Sequence, residues 1–285
     1  MDSLELENAQ LFDASGVIGI DHHCRRCGYN LRGLREEGIC PECGSPVGFS
    51  IRGNFLRFAD PIWVDKLAQG LKIILWMLLF KVLVRTASPA IGDSLTAVLG
   101  LVVEVISFYG VWLLTEPEPC ASIEYNNITA RKFIRIASII GIAGSLLGLT
   151  PEMLGRTSGL VVLVVGFVMG LVGLAGEFAK FTFCKQLAER IPDTDLALRA
   201  GFLRWAYVMS EAITYVFGTI ATVLFFMSMF AASAGAQGVI AFSCIMGIGA
   251  IGMLVFGIMT IFMLLRLRKA LAEQAKFARQ SWATV

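Results

Sequence analysis

The chain has 285 residues, 56% of them hydrophobic and 16% charged, with a mean hydropathy of +0.72. Soluble domains carry about 25% charged residues, so this composition excludes an ordinary soluble domain and selects the membrane class. A net charge of +2 gives no electrostatic case for a nucleic-acid partner.

Residues 1–20 read as a flexible polar lead. Their start, MDSLELENAQLFD, is acidic and lacks the apolar run of a cleaved secretory signal, so the chain is expected to enter the membrane through its own first span. Residues 21–50 hold the strongest local signal, CRRCGYNLRGLREEGICPECG, two Cys-x2-Cys pairs separated by twelve residues. Each short pair can span one edge of a tetrahedron, so Cys24, Cys27, Cys40 and Cys43 are expected to converge as four thiolates on one ion. Gly28 and Gly44 follow the second cysteine of each pair, where a tight turn calls for positive φ and aims amide hydrogens at sulfur. Four thiolates on a divalent ion carry a net charge of about −2, and Arg25, Arg26, Arg32 and Arg35 are near enough in sequence to offset it. His22 and His23 are expected to be solvated rather than to ligate. A closed site leaves no open position for water or substrate, so the ion is expected to be structural, supplying free energy that a small core lacks.

The knuckles CRRCGY and CPECG resemble those of zinc ribbons, and equally those of rubredoxin-type domains, which hold a redox-active iron. The resemblance covers residues 24–44. The loop is shorter than in free-standing rubredoxins, and no Glu-x-x-His pair is present for the di-iron centre that accompanies the rubredoxin-like tail of rubrerythrins, which places zinc ahead of iron. The module also resembles one carried by uncharacterised bacterial multi-pass membrane proteins ahead of several helices, a likeness that implies an architecture and no activity.

Residues 51–69 read as a linker and an interfacial helix, capped by Asp60 with Pro61 in its first turn and with Trp63, Val64 and Leu67 at helical spacing. A membrane-spanning helix needs about 20 apolar residues, and six stretches qualify, at 70–88, 93–114, 133–150, 158–176, 205–232 and 238–265. The expected fold is therefore an all-α polytopic membrane protein of about six transmembrane helices over 70–265, with a small N-terminal zinc ribbon. With six spans, 21 of the 24 lysines and arginines fall on the N-terminal side, leaving Lys81, Arg85 and Arg156 opposite. That bias places both termini in the cytoplasm of a cell-membrane protein, where free thiols survive. The segment 177–204 reads as helix interrupted at Ile191-Pro192-Asp193. Residues 266–285 continue as a basic amphipathic helix, with Leu271, Ala275, Ala278 and Trp282 on one face and anionic headgroups as neighbours.

Within the spans, Glu104 needs a partner, because an ionised carboxylate in hydrocarbon costs about 3 kcal/mol or more. Lys81 lies at similar depth across the first hairpin, so a Lys81–Glu104 pair is expected; Glu211 is expected to reach Arg204 or Lys180. These three form the possible intramembrane polar site. Gly141, Gly144 and Gly148, and Gly166, Gly170 and Gly173, are expected on packing faces. GIGAIG at 247–252 imitates a dinucleotide fingerprint but lies in an apolar helix with no strand before it. No nucleophile-and-base arrangement, phosphate loop or pair of catalytic carboxylates is present, which argues against an enzyme. The reading is a binding or regulatory scaffold in the lipid bilayer whose cytosolic ribbon docks a protein partner or the protein's own inner loops. The alternatives are a transporter or channel using Glu104 and Lys81, and a rubredoxin-like iron protein transferring electrons. Cys120, Cys184 and Cys244 stand alone, and the oligomeric state is not written in the sequence.

Overall fold

The computed structural model describes residues 11–52, 55–119, 128–148, 159–230 and 236–283. Among these are an N-terminal four-cysteine module, residues 11–50, called the ribbon below, and seven α-helices, the first of which closes that module: α1 (Val47–Ile51), α2 (Pro61–Ile91), α3 (Asp93–Leu114), α4 (Ile128–Gly148), α5 (Gly159–Glu189), α6 (Thr194–Phe230) and α7 (Ala236–Ala283). Cys120 lies outside the described residues.

The helix limits follow from local chemistry. Asp60 caps α2 by accepting from the amides of Ile62 and Trp63 at 2.7 and 3.2 Å, and Pro61 opens its first turn. Gly92, at φ 81°, makes the one-residue turn from α2 to α3. The expected break at Ile191-Pro192-Asp193 separates α5 from α6, and Asp193 accepts from the Leu196 amide at 3.2 Å to start the new helix. Arg266 of α7 bonds both Asp193 and Asp195 at 2.9 Å, tying α7 to the same corner.

The six long helices close a ring. Each packs on the next in sequence, and α7 returns against α2. Five of them are long and apolar enough to cross a membrane. The sixth, α4, has 21 residues and carries Arg131, Lys132 and Arg135 near its start, but it occupies its place between α3 and α5. At about 1.5 Å per residue α7 is about 72 Å long, well over the hydrocarbon thickness of about 30 Å. Its C-terminal part lies at the end where the ribbon sits, with Arg279 paired to Asp65 of α2.

That ribbon end contains the main apolar core, and here two expectations are corrected. Trp63, Val64 and Leu67 are not an interfacial face: residues 61–69 are the first turns of the continuous α2, and all three side chains are at most 2% exposed. Leu271, Ala275 and Ala278 do not meet lipid either, because that stripe of α7 is buried against α2 and the 3₁₀ turn Leu56–Phe58. Trp282's side chain is outside what is described. An amphipathic stripe is the same signal whether its partner is lipid or protein, and here the overlong α2 and α7 cover each other.

The glycine expectations hold in part. A Cβ on Gly170 would collide with Tyr215 of α6, whose hydroxyl donates to Gly166 O at 2.8 Å, and one on Gly144 would press Met169 at 3.3 Å. Gly141, Gly166 and Gly173 face open space, so the stripe is not a continuous seam. A backbone-to-backbone crossing lies elsewhere: a Cβ on Gly70 would lie 2.6 Å from Gly110 O, where α2 and α3 meet. Gly249 and Gly252 of GIGAIG pack on Thr214 and Ser210 of α6, a helix contact rather than a nucleotide loop.

Candidate metal centre and the charges within the bundle

The ribbon is built from two copies of one backbone turn, 16 residues apart. In the first, Cys24 N donates to Tyr29 O, Gly28 N to Cys24 O and Leu31 N to His22 O; in the second, Cys40 N donates to Ser45 O, Gly44 N to Cys40 O and Val47 N to Gly38 O. Gly28 and Gly44 take φ of 79° and 71°, as the turn requires. The paired positions Leu31 and Val47 are fully buried and, with Ile18, Cys24 and Cys40, make the ribbon's small core. Residues 11–20 are part of this unit rather than a loose lead. Asp13 accepts from the amides of Ser15 and Val17, Gly16 turns the chain, and Ile18 exchanges backbone bonds of 2.9 Å with Gly33 and Leu34. Residues 1–10 lie outside the described part.

The two turns bring four sulfurs together. Cys24 Sγ is 3.6 Å from Cys43 Sγ, Cys27 Sγ is 3.6 Å from Cys40 Sγ, and all four lie within 4.8 Å of one another. A tetrahedron with metal–sulfur bonds of about 2.3 Å has edges of about 3.8 Å, so the group fits one thiolate-ligated ion. Amides of Arg26 and Cys27 reach Cys24 Sγ, that of Tyr29 reaches Cys27 Sγ, and that of Ser45 reaches Cys43 Sγ. Burial raises the Cys24 thiol, and desolvation together with the neighbouring sulfurs of Cys43, Cys40 and Cys24 pushes the exposed Cys27 up to about 12. At Cys43 burial is outweighed by the hydroxyl and amide of Ser45, which hold the thiol down to about 6. A bound cation would displace the protons of the four thiols. Burial also holds His22 below the usual imidazole range while its ring donates to the Ser50 carbonyl. Its Nε2 is buried rather than solvated, and neither His22 nor His23 joins the four sulfurs.

The arginines do not all serve the sulfurs. Arg26 Nη1 donates to Ser45 Oγ at 3.5 Å, beside Cys43, while Arg32 pairs with Asp21 at 3.5 Å. Arg25 leaves the ribbon and bonds Glu118 at 2.9 Å; Glu118 also holds Arg190, at 3.0 Å, and its side chain is only 3% exposed. This node joins the knuckle to the α3–α4 connection and to the α5–α6 corner. Arg190 lies 5.5 Å over the ring of Trp63, whose Nε1 donates to Glu116 O at 3.0 Å, and Leu56 N donates to Arg190 O at 3.1 Å. Sequence reasoning did not find Glu118 or Arg190. The available signal was TEPEP, in which Pro117 and Pro119 hold Glu116 and Glu118 on extended backbone.

Within the bundle the expected pair forms, Lys81 Nζ donating to Glu104 Oε1 at 2.6 Å. Glu211 makes no ion pair with Arg204 or Lys180: Arg204 stacks over Phe178 and Trp205, and Lys180 donates to Glu177 at 2.7 Å. Glu211 Oε2 is buried with no hydrogen-bond partner among the described residues. Cys184 is buried in the main core and Cys244 is exposed, both as free thiols. No protein-family model matches the chain, and neither a curated protein nor a solved structure matches it, so what the molecule does is argued from its own geometry.

Proposed function

We propose that the chain is an integral membrane scaffold, binding or regulatory and without catalytic activity, whose headpiece is a structural zinc ribbon held at the cytosolic face. The observation that carries this reading is the seat of Arg25. It stands between the ligands Cys24 and Cys27, so metal binding would fix its position, and it delivers its charge to a buried carboxylate shared with Arg190. A ribbon joined in this way presents one surface together with the ends of α2 and α7, to which a cytosolic protein partner would bind. The clustering of 21 of 24 lysines and arginines toward the ribbon end supports a cytoplasmic location for both termini. The 2.6 Å contact of Lys81 with Glu104 favours a structural ion pair over a free carboxylate lining a transport path.

Elemental analysis of the full-length protein in detergent tests the metal. One colourless zinc per chain is expected, and a red, iron-loaded product would replace this reading with electron transfer. Limited proteolysis tests the seat: Glu118→Ala should release the ribbon to protease with metal content unchanged, and equal protection in the variant would refute docking through Glu118.

A further inference from the structure

We propose that Glu211, midway along α6, is a proton-binding site of the bundle, reached from the end opposite the ribbon through a cleft lined by the Lys81–Glu104 pair. Three carboxylates (Glu104, Glu177, Glu211) and two ammonium groups (Lys81, Lys180) come together from α2, α3, α5 and α6. Two of the carboxylates are matched, at 2.6 and 2.7 Å. Glu211 is the third, with Oε2 buried and unsatisfied and with Glu177, Lys180 and Lys81 in electrostatic range.

An ionised carboxylate with a bare oxygen is costly in hydrocarbon, and a single positive charge removes the cost. An alkali cation would need several oxygen ligands, which membrane proteins supply from unwound helices. Here α2, α3, α5 and α6 run without a break past these residues, so a proton is the cation that fits. Around Glu211, α5 offers Glu177 and Lys180, α6 itself offers Tyr207, Ser210 and Thr214, and α7 places Gly249 and Gly252 against that face with no charged residue between Gly247 and Leu265.

A route of access is also present. A cleft of about 390 Å³ between α2, α3 and α4 is lined by Arg85, Asp93, Thr96 and Gly100 together with Lys81 and Glu104. Lys81 interacts electrostatically with Glu211, and Glu104 with Lys180, so charges that line the cleft are within electrostatic range of the third carboxylate. Water entering the cleft would deliver a proton to the Glu211 carboxylate, giving the neutral acid, and would accept it on release.

Infrared difference spectra of the full-length, metal-loaded protein in lipid vesicles, taken between about pH 5 and about pH 9, test the site. A carboxylic-acid band that titrates in the parent protein should vanish in Glu211→Gln, move in Glu211→Asp and persist in Glu177→Gln. No titrating band in the parent, or one that survives Glu211→Gln, overturns the proposal; a band that shifts when sodium replaces potassium at fixed pH does so in favour of an alkali-ion site. Gly100→Phe tests the route, because a side chain there meets open space and would fill the cleft. The band should then respond more slowly to a pH jump on the side opposite the ribbon, and an unchanged rate removes the cleft from the proposal.

Discussion

Cys40 is 1% exposed and stands 3.6 Å from Cys27 Sγ, so it is both a ligand candidate and part of the ribbon's core. Replacing it with serine should abolish stoichiometric metal retention and expose residues 11–50 to protease; unchanged metal content would remove the four-sulfur centre. Gly44 tests the turn rather than the ligand. At φ 71° a β-branched residue is strained by about 1–2 kcal/mol, so Gly44→Val should weaken metal retention about tenfold in competition with a chelator, without changing the ligand set. Glu118 belongs to a different class of contact. Its removal leaves Arg25 and Arg190, each 13% exposed, without their shared buried carboxylate, a change that costs up to about 3–5 kcal/mol where a pair is fully buried. A double-mutant cycle of Glu118→Ala with Arg25→Ala should therefore show coupling, and strictly additive losses would mean the contact contributes nothing. The cysteines and their glycines were legible in sequence because a knuckle is a local object of six or seven residues. Glu118 was not, because its partners stand 93 and 72 positions away and no spacing rule reaches that far.

At the scale of elements, hydropathy located the helices but not what covers them. Residues 61–69 and 266–283 carry stripes that suit a lipid surface equally well, and only the lengths of α2 and α7 showed that each would reach the other. Small-residue patterns were legible in the same partial way. The sequence marks where backbones can approach, and the crossing geometry decides where they do. Gly70 and Gly141 separate the two cases. Gly70→Leu forces side-chain atoms into the α3 backbone, where a built Cβ is already 2.6 Å from Gly110 O, and should lower thermal stability in detergent by about 1–3 kcal/mol or more. Gly141→Leu enters open space and should be close to neutral. Equal losses at both positions would contradict the α2–α3 crossing.

For the whole molecule, the charge sorting along the chain was enough to expect a helical bundle with its basic residues at one end, and the structure adds that the bundle is a ring. No periodicity announces that α7 closes on α2, since this is a fact about the first and last long helices together. The ribbon is attached to that ring by a polar node and by residues 55–60, and its own core is separate from the main one. Stripping the metal with a strong chelator should therefore unfold the ribbon while the far-ultraviolet circular dichroism of the helices changes little. Loss of most helicity on chelation would show that the two parts fold as one unit.

Ring closure by the last helix sets an order of events during synthesis. While α2 to α6 emerge from the ribosome, the flank of α2 that carries Leu67 and Leu71 has no mate, because the α7 residues that cover it are the last to be made. Until they arrive the nascent chain is an open arc with an apolar seam at its growing margin, a state that membrane chaperones and proteases are equipped to notice. A chain interrupted before α7 would thus carry the headpiece and five of the six long helices, and leave that seam open.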